Sequence, residues 1–197
     1  METKRRGRPR SFDRDAALER ATLTFWEHGY ETTSIADLTD AMGIGAPSLY
    51  AAFGDKKALF AEVVESYAVR YGSFGARALE EEPTARAGLA RLLTETAAEF
   101  TDPSHPRGCL MICAAANCVT PEVETALRER RQANIASFES RLRADMATGE
   151  LPPDTDPAAL ARFVGAVIQG MSQQARDGAT KADLESLAET AMRAWPV

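Results

Sequence analysis

The chain has 197 residues, 45% of them hydrophobic and 26% charged, with a formal net charge of −6. That size and apolar content suit one or two compact domains with a core, and no apolar run is long enough to cross a bilayer. The basic start METKRRGRPRSFD is followed by no apolar segment of the kind a secretory signal needs, and three cysteines do not make a disulfide scaffold, so the expected location is the cytoplasm.

The charge is unevenly placed. The first ten residues carry five basic groups (Lys4, Arg5, Arg6, Arg8 and Arg10) against Glu2 alone, residues 11–60 are acidic by a similar margin, and the whole net negative charge falls in 61–197. A polyanion is repelled by most of this surface, so nucleic-acid binding requires a local and directional contact through the N-terminal arm and the Lys56 region.

Helical periodicity recurs along the chain, broken by Gly, Pro and Asp, with no strand alternation; the fold class expected is all-α with about nine helices. Asp13 caps a first helix that runs to His28, with Gly29 at its end. Thr33 or Ser34 caps a short second helix, Ile35 to Met42, which Gly43 closes. A third follows from about Ala46 to Ala52. Asp55 opens a long fourth helix with Phe60, Val63, Val64, Tyr67, Tyr71, Phe74 and Ala78 at three-and-four spacing, stopped by Pro83. Thr84 starts a fifth helix, Cys109 to Cys118 form a short apolar one, and Pro121 opens a long seventh. Residues 158–176 and 181–194 are the eighth and ninth.

The stretch IADLTDAMGIGAPSLYAAF, Ile35 to Phe53, is two short helices joined by a glycine turn, a helix-turn-helix whose second member enters a major groove N-terminus first. Gly43 permits the positive φ at which the first of the pair stops. Ala46, Pro47 and Ser48 keep the leading edge small, Ser48 has a hydroxyl for a base or phosphate, and Pro47 and Ala51 suit a thymine methyl. Tyr50 offers its hydroxyl to a phosphate with its ring partly buried. Lys56 lies in the first turn of the fourth helix, where dipole and ammonium both attract an anion, and Thr33 and Ser34 hold the corresponding place on the second. Arg8 and Arg10, flanking Pro9, suit a minor groove.

These features coincide with a wider pattern. Phe25, Gly29, Tyr30, Thr33 and Ser34 (F-x-x-x-G-Y-x-x-T-S), Asp37-Leu38, the run G-I-x-x-x-S-L-Y ending at Tyr50, and Phe53, Lys56 and Leu59 (F-x-x-K-x-x-L) together resemble the DNA-binding domain of the tetracycline-repressor (TetR) family over about residues 11–60. The resemblance implies that Ser34 touches phosphate, that Ala46, Pro47, Ser48 and Tyr50 belong to the recognition helix, and that Lys56 is a phosphate contact. Ala51 stands where many members carry a larger polar or basic residue, which shifts the expected weight of sequence choice to the arm or to DNA shape. The resemblance further implies a helix-turn-helix domain over 1–60 with its basic arm, an effector-binding and dimerisation domain over 61–197, a homodimer on a double-stranded inverted-repeat operator, and repression relieved when a ligand moves helix four.

In the larger part, Tyr67, Tyr71, Phe74, Phe100, Met111, Phe138 and Met171 are candidates for the wall of a cavity, with Cys109 and Cys113 as further ligand contacts, and with no Arg or Lys among them the expected effector is a small hydrophobic or aromatic molecule. Leu160, Phe163, Val164, Val167 and Ile168 on the eighth helix, with Leu184, Leu187, Ala191 and Trp195 on the ninth, form apolar faces expected at the dimer seam. Gly165 and Gly170 allow close approach there.

The stretch HPRGCLMICAAANCVT holds His105, Cys109, Cys113 and Cys118. Three readings stand: small buried hydrophobes, a thiol or electrophile sensor at Cys109 or Cys113 with the Cys109 pKa lowered by Arg107 and a helix N-terminus, or a zinc or copper site. A cysteine-dependent enzyme is the rival from another class, but no third orienting group accompanies His105 and Cys109. The reading calls for no catalytic residue, metal or cofactor.

Overall fold

The computed structural model describes residues 12–116 and 118–196, which form ten helices and no strand. Helices α1 (Arg14–His28), α2 (Ile35–Met42) and α3 (Ala46–Phe53) make the N-terminal unit, and α4 (Lys56–Arg70) joins it to the rest. Then come α5 (Ser73–Glu81), α6 (Ala85–Glu99), the single turn α7 (Leu110–Cys113), α8 (Pro121–Thr148), α9 (Pro157–Arg176) and α10 (Lys181–Arg193).

Local signals set most of these ends. The Asp13 carboxylate accepts from Asp15 and Ala16 N–H, and Asp55 accepts from Ala58 N–H at 2.7 Å. Ser34 and Asp37 form a reciprocal capping box on α2, as Thr180 and Asp183 do on α10.

The long fourth helix expected from the sequence is two helices. Its apolar spacing continues past Tyr71, but the chain turns at Tyr71-Gly72 and restarts as α5. This break lets α5 fold back on α6. The two approach so closely that a Cβ on Gly88 would lie 2.8 Å from the Ala78 carbonyl oxygen. Their connection is clamped from α8. Asp145, 3% exposed, accepts from Ala85 N–H at 2.5 Å and pairs with Arg141 at 2.8 Å, and Arg141 donates to the Glu82 and Pro83 carbonyls.

Two cores result. One gathers Phe25, Trp26, Leu38, Leu49, Phe53, Phe60 and Tyr67 and extends into the larger part through Leu110, Met111, Val123 and Leu127. The other lies among α5, α6, α8, α9 and α10. Here four residues expected at the dimer seam are otherwise employed. Val164, Leu184, Ala191 and Trp195 are buried in the chain's own core, and the periodicity that marked them was that of an ordinary amphipathic helix. Leu160, Val167, Ile168 and Leu187 are half-buried against the same core, and only Phe163, 40% exposed, faces outward. Gly165 makes room for Ile135 of α8, whereas a side chain on Gly170 would meet open space.

Candidate nucleic-acid interface and effector cavity

The turn between α2 and α3 is built as its residues require. Gly43 takes φ 67°, ψ 32°, the left-handed region, and the Ile44 N–H reaches back to the Thr39 carbonyl at 3.1 Å. Pro47 lies in the first turn of α3, where a missing N–H costs nothing. Leu49 and Phe53 turn inward, which fixes the rotation of the helix. The opposite side shows Pro47, Tyr50 and Ala51 to solvent, with Ala46 and Ser48 half-buried at its edge. Tyr50 is 51% exposed, less covered than its sequence context suggested.

Thr33 does not belong to this surface. It is 1% exposed and its hydroxyl donates to the Gly29 carbonyl at 2.6 Å, so it braces the α1–α2 turn. Ser34 is exposed beside it at the α2 N-terminus. Lys56 starts α4 with Nζ 4.4 Å from the Tyr30 ring centroid and 3.5 Å from the Glu31 carbonyl. Burial lowers its pKa, against the pull of the Glu31 carboxylate. Arg20, which the sequence reading passed over, is exposed on α1 with a guanidinium nitrogen 3.5 Å from the Ala41 carbonyl, beside the turn. Arg8 and Arg10 lie outside the described residues.

The second site is a half-open cavity of about 290 Å³ lined chiefly by α4, α5, α6 and α8. Tyr67, Tyr71, Phe74, Phe100, Cys109, Met111 and Phe138 all line it, as the sequence suggested. Two candidates do not. Met171 is fully buried in the second core, and Cys113 faces away, with Sγ 3.8 Å from Ser172 Oγ. The wall is mainly apolar, with Thr96, Asn134 and Ser137 as polar points. Arg130 also lines it, against the expectation of a wall free of cations, but its guanidinium pairs with Glu65.

Cys109 precedes α7 with its thiol in this wall. Burial raises its pKa, and Tyr67 is its hydrogen-bonding neighbour. Arg107, expected to lower that pKa, instead donates to the Ala175 carbonyl at 2.7 Å and to that of Ala179, between α9 and α10. The Tyr67 hydroxyl and the Met111 and Ile112 N–H groups favour the thiolate, but burial outweighs them. Among the described residues no cluster of three or more His, Cys, Asp or Glu side chains has a metal-binding arrangement.

Between the two sites lies an aromatic junction that the sequence did not reveal. The His105 ring stacks on Trp26 of α1 at 4.4 Å and meets the edge of Tyr71 at 5.3 Å. Its Nδ1 is 3.0 Å from the Pro106 carbonyl, and its Nε2 is 3.2 Å from Glu99 Oε1, ion-pair distance though off line for a good hydrogen bond. Burial disfavours the charged ring, but the Glu99 carboxylate and the Pro106 carbonyl together outweigh it, and the pKa is raised. Further links cross the same boundary. Glu31 accepts from Val119 and Thr120 N–H at 2.9 and 2.7 Å, and Arg176 reaches the Trp26 and Glu27 carbonyls that end α1.

The comparisons fit this arrangement. Residues 17–63 match the model for bacterial regulatory proteins of the tetR family, and residues 85–191 match that for the tetracyclin repressor-like C-terminal domain. The chain belongs to the TetR family. It is 40% identical over 196 residues to the HTH-type transcriptional repressor ComR of Escherichia coli K12, covering 98% of this chain and 93% of the relative. A second Escherichia coli repressor, BdcR, is 28% identical over 188 residues, with 95% and 90% covered. Among solved structures, a cysteine mutant of the TetR-family regulator CifR complexed with 26-bp operator DNA aligns with a TM-score of 0.93 and 45% identity, over 96% of this chain and all of that one. This TetR-family protein is therefore an all-helical, DNA-binding transcriptional regulator with an N-terminal helix-turn-helix and a C-terminal helical domain. No helix among its described residues is long and apolar enough to cross a membrane.

Proposed function

We propose that the protein is a dimeric repressor that holds an inverted-repeat operator and releases it when a small hydrophobic or aromatic molecule fills the cavity between α4, α5, α6 and α8. The observation that carries this is the position of the cavity. Its wall includes the end of α4, the helix that leaves the DNA-binding unit, so an occupant acts on the element that sets the pose of α3. On this reading Ser34 and Lys56 meet phosphates, while Ala46, Pro47, Ser48 and Tyr50 face base edges and backbone. Arg20 joins them as a further cation beside the turn. The basic arm, Arg8 and Arg10 included, supplies the remaining attraction to an otherwise repulsive surface.

The dimer seam on this reading is the outer side of α9. Phe163 is exposed there among Ala159, Ala166 and Gly170, small residues that let a second copy approach closely. The two-fold arrangement places recognition helices about one DNA turn apart. The likeness to a CifR mutant crystallised on operator DNA supports reading the conformation described here as one that can bind an operator.

Selection from a random duplex library at near-physiological salt tests the first half of the proposal. Enrichment of an inverted repeat is the expected result; a folded, dimeric protein that enriches nothing overturns it. The selected duplex then serves to screen apolar aromatic compounds for release.

A further inference from the structure

One residue belongs at once to the cavity, to the break between α4 and α5, and to the surface of α1. Tyr71 caps α4 at its C-terminus, its N–H bonded to the Tyr67 carbonyl at 2.9 Å. Its ring lines the cavity and packs on Tyr67 at 5.6 Å, on Trp26 at 5.1 Å and on His105 at 5.3 Å. Its hydroxyl donates to Glu19 on α1, and Arg70, the preceding residue, pairs with the other oxygen of that carboxylate at 2.8 Å. The Tyr71 pKa is pushed up to about 12, by burial first and then by the bond to Glu19, so the hydroxyl remains a donor at any physiological pH.

We infer that Tyr71 is the latch through which occupancy of the cavity is felt at the DNA-binding helices: a guest that displaces its ring pulls the hydroxyl from Glu19 and frees α1 to tilt. The inference rests on the cavity being the effector site and names the residue that couples it. The other polar links across the boundary touch one side only. Glu31 and Arg176 hold backbone groups of the junction without lining this cavity, and Arg70 is mostly exposed, where an ion pair contributes little. Trp26 and Tyr67 form a second route, ring against ring at 4.9 Å, that carries a push but has no bond to break. Tyr71 is thus a positioning residue that acts through Glu19.

Tyr71→Phe separates the two routes, since it keeps the ring and its packing and deletes only the hydroxyl. Leu92→Phe, which enlarges a wall residue of α6, stands in for a guest, and Ser137→Phe does so from the α8 side should the first fail to fold. Operator affinity of the full-length dimer is read by fluorescence anisotropy on the selected duplex at fixed salt. The cavity-filling change should weaken binding about tenfold in the wild-type background, within the usual range of coupling between two sites. Tyr71→Phe and Glu19→Ala should each weaken binding on their own, without additivity between them. The cavity-filling change should then add less than about threefold to either. An undiminished tenfold effect in the Tyr71→Phe background overturns the latch and leaves the effector site standing, with ring packing as the carrier. No effect of either filling variant in the wild-type background overturns the effector-site reading and the latch with it.

Discussion

The DNA-binding unit and the larger helical part are built from the same kinds of helix, yet they differ in where their information lies. In the first 60 residues each bend is dictated within a few residues of itself: Asp13, the Ser34–Asp37 box, left-handed Gly43, Pro47 in a first turn and Asp55. In the larger part the decisive contacts are long-range. Asp145 closes a turn sixty residues away, Arg107 ties itself to the end of α9, and His105 stacks on a tryptophan of α1. A surface that must present a few side chains to a duplex in fixed geometry benefits from stiff local rules. A domain proposed to enclose a guest and transmit its presence would draw on long-range contacts of this kind.

That contrast can be broken at its strongest points first. Asp145→Ala leaves the Ala85 N–H buried without its partner and Arg141 without its counter-ion, and should cost about 3 kcal/mol of stability in urea unfolding. A loss near zero would mean that the α5–α6 turn is held by packing alone. Gly43→Ala forces a side chain into the left-handed region at the α2 end and should cost about 1–2 kcal/mol, with operator affinity falling as α3 loses its aim. Ser34→Ala removes one half of a capping box, a loss of about 1 kcal/mol expected in the same unfolding experiment.

Smaller effects sharpen the comparison. If Lys56 meets one phosphate, Lys56→Gln should flatten the slope of log affinity against log salt by about 0.9 per subunit, uniformly across operator variants. An unchanged slope would confine Lys56 to its contacts with Tyr30 and Glu31. The smallest effect concerns pH. Because the His105 pKa is raised in the folded chain, its stabilising contribution is fully present below the unfolded histidine value and is lost as pH rises through the folded one. Stability should therefore decline modestly from pH 6 to pH 8, and His105→Phe, which keeps the stack on Trp26, should remove that part of the decline.

The cysteine stretch shows what single residues leave open. Arg107 and a helix N-terminus made an activated thiol one of three readings, but activation depends on what faces the sulfur; Arg107 turns to the end of α9, and burial raises the Cys109 pKa. In the same way, Val164, Leu184, Ala191 and Trp195 carry the alternation of a buried helix face, and nothing in one helix states whether that face meets its own chain or another. The aromatic candidates for the cavity fared better. Seven of the nine residues named for ligand contact border it.

The sequence by itself determined the helical class, the helix-turn-helix and its outward residues, and most helix ends, because those follow from spacing, capping and the positive φ that glycine permits. The tertiary structure alone decided that the fourth helix breaks at Tyr71-Gly72, that Thr33 points inward, that Arg130 reaches the cavity, and that Tyr71, Glu19, Trp26 and His105 meet at one junction. These depend on which helices pack together and at what rotation. Such a choice is made by the summed burial of the whole chain, and no local run of residues encodes it.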